Sequence, residues 1–200
     1  MSPALDVQTR LLLLRHGEVA WERAADGEPS LSDAGLASVE ATVATLPRFD
    51  HIAASPSRPA RETAEAIGLA RGATAWWHED LDEIRTATPP GDAQSYAAWL
   101  DRLFGSLESP GGGEAVADGG ARFAAVLRRI GDRFLGRTVL VVSHPVVLLA
   151  FRSMEMRAPL ARGHVDTMPD LAMATVDYLD GRFYIVQDFP VRWTAPQGSR

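Results

Sequence analysis

Apolar residues fall along this chain in two kinds of pattern. Leu11-Leu12-Leu13-Leu14 and residues 138–143 are apolar without alternation, which predicts strands buried on both faces, as in a parallel sheet covered by helices on each side. Residues 49–54 and 74–78 predict two shorter strands, and 171–178 with 182–187, parted by Asp180-Gly181, predict a hairpin. Elsewhere the spacing is helical. Ser32-Asp33 can cap a helix carrying Val39, Val43 and Leu46 that ends at Pro47. Pro59 fits the first turn of a helix over 60–70, where its missing N–H costs nothing. Val116, Phe123, Val126, Leu127, Ile130 and Phe134 line one face of another helix, and 146–151 begins the next.

Strand and helix therefore alternate over most of the length, and no internal repeat interrupts them. The expected architecture is α/β: a three-layer α/β/α sandwich with a largely parallel central sheet and a C-terminal hairpin. Two hundred residues suit one domain, 1–200. Residues 1–9 read as a loose leader, 19–29 as loop, and the chain from Thr194 as frayed. The least regular part is 79–113, with Thr-Pro-Pro-Gly, an amphipathic run (Tyr96, Trp99, Leu100, Leu103, Phe104) and three glycines. It is expected to leave the core as an excursion with one helix over or beside the site.

Composition narrows the chemistry. A net charge of −6 and a pI near 5.3 argue against a general binder of nucleic acid or anionic membrane, so an anion site must be a local cationic pocket. Cysteine is absent, which removes disulfides, thiolate nucleophiles and cysteine-based metal sites. All twenty basic residues are arginine, which removes a P-loop lysine, a Schiff base and a Ser–Lys dyad. No basic residue precedes Arg10 and the first apolar run is four long. Neither a signal peptide nor a membrane span is expected, and the expected location is the cytoplasm.

Both doubly buried strands run into a histidine, His16 and His144, with Arg15 beside the first. Ligands of open α/β sheets bind beyond the carboxyl ends of the strands. A third strand ends in Ser55-Pro56-Ser57-Arg58. If these ends are neighbours, two imidazoles and two guanidiniums converge on one crevice. That set suits a phosphoryl group, since planar guanidinium forks hold its oxygens in pairs and stay charged. Gly17 would let the backbone approach whatever binds there.

Leu14-Arg15-His16-Gly17-Glu18 resembles the Arg-His-Gly signature of the histidine phosphatase superfamily, which includes the cofactor-dependent phosphoglycerate mutases. The resemblance extends over nearly the whole chain. Ser55-Pro56 with Ala60 and Thr63-Ala64 is similar to the family's second motif, Ser-Pro-x-x-Arg-Ala-x-x-Thr-Ala. Leu81-Asp82-Glu83 resembles the segment that carries its acid. Gly113-Glu114 with Arg122 looks like its Gly-Glu-Ser…Arg helix start, with Ala115 in place of Ser, and Val141-Val142-Ser143-His144 is similar to its second-histidine strand. The resemblance implies that neutral His16 attacks phosphorus to form a phosphohistidine. It implies that Arg15, Arg58, His144 and Gly17 hold the phosphate and that Glu83 passes the proton. It implies no metal and no cofactor.

Three departures from the family pattern bear on that reading. Pro59 stands where the second motif has its arginine, with Arg58 one residue earlier. A one-residue slip on a helix turns a side chain by about 100°, so Arg58 can substitute only from the loop before it. Val19 and Glu22 replace a frequent Thr and Asn. A carboxylate about 4 Å from a phosphate costs roughly 4 kcal/mol per charge pair at an effective dielectric of 20. Glu22 therefore points to solvent, pairs with an arginine, or meets a cationic group of the ligand. Pro145-Val146 replaces a pair of small residues after His144, a mild change.

His51 and His78 read as packing or surface residues; His164, near Asp166, is left open as a substrate contact. Trp99 with Tyr96 hints at an apolar or aromatic leaving group if their helix faces the site. The expected function is phosphomonoester hydrolysis of a small phosphorylated metabolite. The alternatives are a catalytically weak or inactive binding member of the same fold, and a mutase-type phosphotransferase.

Overall fold

The computed structural model describes residues 7–21, 28–106 and 112–191. Glu22 and the tail from Thr194 lie outside the described residues, as does most of the expected leader and loop. Six strands form the main sheet in the order β5-β4-β6-β1-β7-β8: β1 (Thr9–Arg15), β4 (His51–Ala54), β5 (Ala75–Trp77), β6 (Thr138–Ser143), β7 (Met173–Leu179) and β8 (Arg182–Gln187). β5, β4, β6 and β1 run parallel, while β7 is antiparallel to β1 and closes a hairpin with β8.

The leucine run explains itself once both faces are covered. Leu11 and Leu13 enter one apolar cluster and Leu12 and Leu14 the other, and Val139 and Val141 part from Leu140 and Val142 in the same way. Successive side chains of a strand point to opposite faces, so a continuous apolar run is what a sheet with two buried faces requires. Each fully buried leucine contributes roughly 1.5–3 kcal/mol. On one face lie α1 (Asp33–Val43) and α2 (Arg58–Arg71); on the other lie α3 (Ala93–Ser106), α4 (Val116–Arg133) and α5 (Pro145–Met156).

Local signals account for the helix starts. The Ser32 side chain accepts from the Gly35 N–H as the N-cap of α1, and Pro59 sits in the first turn of α2. α1 also lies very close to the first loop: a Cβ on Gly35 would stand 2.2 Å from the Glu18 carbonyl oxygen.

Four features depart from the sequence reading. Thr9 is no part of a leader: it is buried in β1, and its hydroxyl is hydrogen-bonded to the Gly131 and Phe134 carbonyls. The segment read as loop opens with a two-residue strand, β2 (Val19–Ala20), paired with β3 (Ser30–Leu31). A short helix, α6 (Arg162–Thr167), follows α5 and had no clear periodic signal. Arg58 is the first residue of α2, not part of the loop before it, because Ser57 already takes the cap position. Among the described residues no helix is long and apolar enough to cross a membrane.

Candidate active site

The site is a consequence of strand register. Arg15 pairs with Ser143 across β1 and β6, and Ala54 pairs with Val142 across β4 and β6. One step further along each strand come His16, His144 and Ser55, which are therefore side by side at three adjoining carboxyl ends. The His16 N–H is held by the Ser143 carbonyl at 3.0 Å and the Ser55 N–H by the Val142 carbonyl at 3.1 Å. The two imidazole rings meet edge to face with centroids 5.1 Å apart.

His16 is buried, and its Nδ1 lies 2.8 Å from the Gly17 carbonyl oxygen. A carbonyl can only accept, so Nδ1 carries the proton and Nε2 keeps a lone pair. Burial first, then the neighbouring His144 and Arg15, push the His16 pKa well below the ordinary histidine value. His144 is pushed down to about 3, by burial first and then by Arg122 and Arg15. Both rings are neutral in the free protein at neutral pH.

Glu83 sits at the start of α5. Its carboxylate accepts from the N–H groups of Val147 at 2.7 Å, Val146 at 3.0 Å and Ile84 at 3.0 Å. Burial raises its pKa; these three bonds and Arg122 act against the rise without cancelling it. A carboxyl held this way is suited to carry a proton to a leaving oxygen and to take one back.

Arg122 on α4 holds that acid in place from behind. Its guanidinium clamps Glu114 through two bonds of 2.8 and 2.7 Å and donates to the carbonyls of Asp80, Asp82 and Glu83 at 2.8, 3.1 and 3.0 Å. The match of Glu114 and Arg122 to a family helix start had carried no role. The structure supplies one: they pin the segment that bears Glu83.

Arg15 reaches the cavity from the end of β1, braced from outside. One of its terminal nitrogens donates to the Met168 carbonyl, and the other pairs with Asp170 at 2.8 Å. Arg58 is placed differently. Its main-chain N–H donates to the Glu28 carboxylate at 2.6 Å and its guanidinium to the Glu28 carbonyl at 3.0 Å, and it is not among the residues lining the cavity. Gly17 is required by packing. Its N–H donates to the Thr63 hydroxyl at 3.1 Å, and a Cβ there would crowd Val39 and Leu31 at 3.1 and 3.3 Å.

The cavity above the histidines measures about 690 Å³. Arg15, His16, Glu83 and His144 line its floor; Trp21, Pro89, Pro90, Tyr96 and Trp99 line its upper walls. The rings of Trp21, Tyr96 and Trp99 stack in series with centroids 5.4 and 5.5 Å apart, so α3 faces the site. Glu28 and Asp82 also line it.

The remaining histidines lie elsewhere. His51 packs on Phe134 at 4.3 Å between centroids, and His78 Nδ1 accepts from the Asp80 N–H at 3.1 Å. His164, the residue left open, is buried in α6, where its Nδ1 accepts from the Ala161 N–H at 3.1 Å; it does not line the cavity. Among the described residues no group of three or more His, Asp or Glu is arranged to hold a metal ion. Ser55, Ser57 and Asp82 stand in segments the sequence singled out, yet none of them had a role of its own there, and Asp170 had no signal at all, since a Ser or Asp in a turn carries none by itself.

Residues 11–188 match the family described as Histidine phosphatase superfamily (branch 1). The chain is 30% identical over 184 residues to an acid phosphatase of Mycobacterium tuberculosis, covering 86% of this chain and 88% of that one. It is 27% identical over 193 residues to phosphoglycerate mutase-like protein 4 of Arabidopsis thaliana, covering 88% and 83%. Among solved structures, YhfR of Bacillus stearothermophilus superposes with a TM-score of 0.75 at 27% identity, covering 90% of this chain and 96% of that one. A phosphoserine phosphatase of Entamoeba histolytica shares the fold with a TM-score of 0.71 at 20% identity, covering 90% and 96%.

Proposed function

Because this chain belongs to the histidine phosphatase superfamily (branch 1), we propose that it is a phosphomonoester hydrolase that works through a phosphohistidine on His16, with a small phosphorylated metabolite as substrate. The observation that carries the reading is the state of His16: neutral, its Nδ1 proton directed to Gly17, and its Nε2 lone pair left free beside His144. Nε2 attacks phosphorus while the bond to the leaving oxygen breaks and Glu83 gives that oxygen its proton. In the second half Glu83 takes a proton from water, the water oxygen attacks phosphorus, and the bond to Nε2 breaks. Arg15 and His144 hold the equatorial oxygens, over which the transition-state charge is spread. The match to an acid phosphatase over most of both chains supports hydrolysis as the outcome.

The walls favour a particular kind of leaving group. Stacked aromatic rings and paired prolines suit a flat or apolar alcohol. Beyond the phosphate end the carboxylates of Glu28 and Asp82 outnumber Arg85, the one cation there among the described residues, and so oppose a second anionic group on the substrate. Aryl phosphates should therefore be better substrates than phosphoglycerate.

Release of p-nitrophenol from its phosphate tests the reading directly: wild type should turn over and His16→Ala should fall to background. Equal background rates for both would favour a second reading, a binding protein of the same fold. One observation favours that alternative. Pro59 stands at the expected arginine position and the Arg58 guanidinium is directed to the Glu28 carbonyl, which leaves Arg15 as the phosphate clamp among the arginines this chain was expected to supply.

A further inference from the structure

We propose that Asp82 is a positioning residue of this site, acting through the Ser55 hydroxyl to fix which nitrogen of His144 carries the proton and to stabilise that ring when it becomes doubly protonated beside a bound phosphoryl group. The inference rests on the hydrolase reading for its second half; its first half is a property of the free protein.

The geometry leaves one proton arrangement. Ser55 Oγ meets three partners: the Ser57 N–H at 3.1 Å, His144 Nε2 at 2.8 Å, and a carboxylate oxygen of Asp82. A hydroxyl has one proton and two lone pairs. The Ser57 N–H can only donate, so it takes one lone pair. The Asp82 carboxylate, which also accepts from the Ser57 hydroxyl at 3.0 Å, can only accept, so it takes the Ser55 proton. The remaining lone pair must accept a proton from Nε2 of His144. Neutral His144 is thereby held with Nδ1 unprotonated, and no described residue is hydrogen-bonded to that nitrogen.

This has a consequence for anion binding. A phosphate dianion entering the cavity meets lone pairs on both rings, Nε2 of His16 and Nδ1 of His144, where it needs donors. One proton must accompany it, from the substrate monoanion or from solvent, and His144 Nδ1 accepts it and then donates to a phosphate oxygen. The groups acting on the ring come from every side. Arg15 ends β1, His16 follows it and Arg122 lies on α4, and the two arginines disfavour its charging. Glu83 stands at the start of α5. Asp82 is the anion joined to the ring by a continuous hydrogen-bonded path, so its charge offsets the imidazolium most directly.

Two measurements test this. Nitrogen NMR of the free wild-type protein should find His144 protonated at Nε2 and bare at Nδ1; the opposite tautomer would overturn the proposal, whether or not the protein hydrolyses anything. With p-nitrophenyl phosphate, Asp82→Asn and Ser55→Ala should each lower kcat near neutral pH by about tenfold to a hundredfold, the worth of one charge-assisted hydrogen bond. The loss should shrink in acid, because the falling limb of the kcat profile, which reports groups of the bound complex, moves to lower pH when the anion is removed. The double variant should be no worse than the poorer single. Losses that are equal at every pH, or that multiply in the double variant, would reduce Asp82 and Ser55 to structural residues. A wild type that shows no turnover would remove the hydrolase reading, leaving the tautomer measurement to decide the relay.

Discussion

Glu83 does two things that pull apart when it is changed. Its carboxylate ties down three backbone N–H groups and is the proton carrier of the proposed reaction. Glu83→Gln keeps most of the first role and loses the second. General acid–base groups contribute about 10²–10⁴ in rate, and the loss should depend on the leaving group. Phenyl phosphate, whose oxygen needs the proton, should fall by about a hundredfold or more, and p-nitrophenyl phosphate, whose anion leaves unaided, by much less. Steady-state kcat on the two esters checks this, and equal losses would move the proton transfer to another group.

Elements set the distances that single residues cannot. His16 and His144 are 128 positions apart in sequence and meet because β1 and β6 run parallel with Arg15 opposite Ser143. A slip of one residue would exchange leucine for leucine on two apolar faces, so the register rests on the polar end of the strand: it would pull the buried Thr9 hydroxyl from the Gly131 and Phe134 carbonyls. α1 enforces the loop that follows. Gly35→Ala would drive a methyl against the Glu18 carbonyl and should cost about 2 kcal/mol or more, as overpacking does, read as a lower urea midpoint with unchanged m. α3 supplies the far wall. Trp99→Leu should raise KM for p-nitrophenyl phosphate about threefold to tenfold, the worth of one aromatic contact. Vanadate, which has no leaving group, should inhibit both proteins alike.

The molecule as a whole carries a cost for burying two neutral histidines. Their folded pKa values are lowered, so below the ordinary value of 6.5 the unfolded chain binds protons that the native state refuses. Stability should therefore be full above about pH 6.5 and should fall as pH drops through the window toward 3. The slope is about 1.4 kcal/mol per pH unit for each histidine. Urea unfolding across that range checks it, and His16→Asn with His144→Asn should flatten the acid limb; an unchanged slope would contradict the burial of both rings. Phosphate in the buffer should flatten it as well, since a bound anion lets one ring keep its proton.

What one reading of the chain could reach follows from how far each signal extends along it. Unbroken apolar runs, Ser32, Pro59 and Asp180-Gly181 act within a few residues, so strands, helix starts and the hairpin were legible. Both histidines were legible too, since each ends its own strand. The paths of Arg58, Asp82 and Asp170 were not, because each depends on partners far away in sequence. Arg58 turns to Glu28, Asp82 to Ser55, and Asp170 to Arg15. A turn or helix start fixes a backbone locally, but the direction of a polar side chain there follows whichever donor or acceptor the packed core brings within about 3 Å.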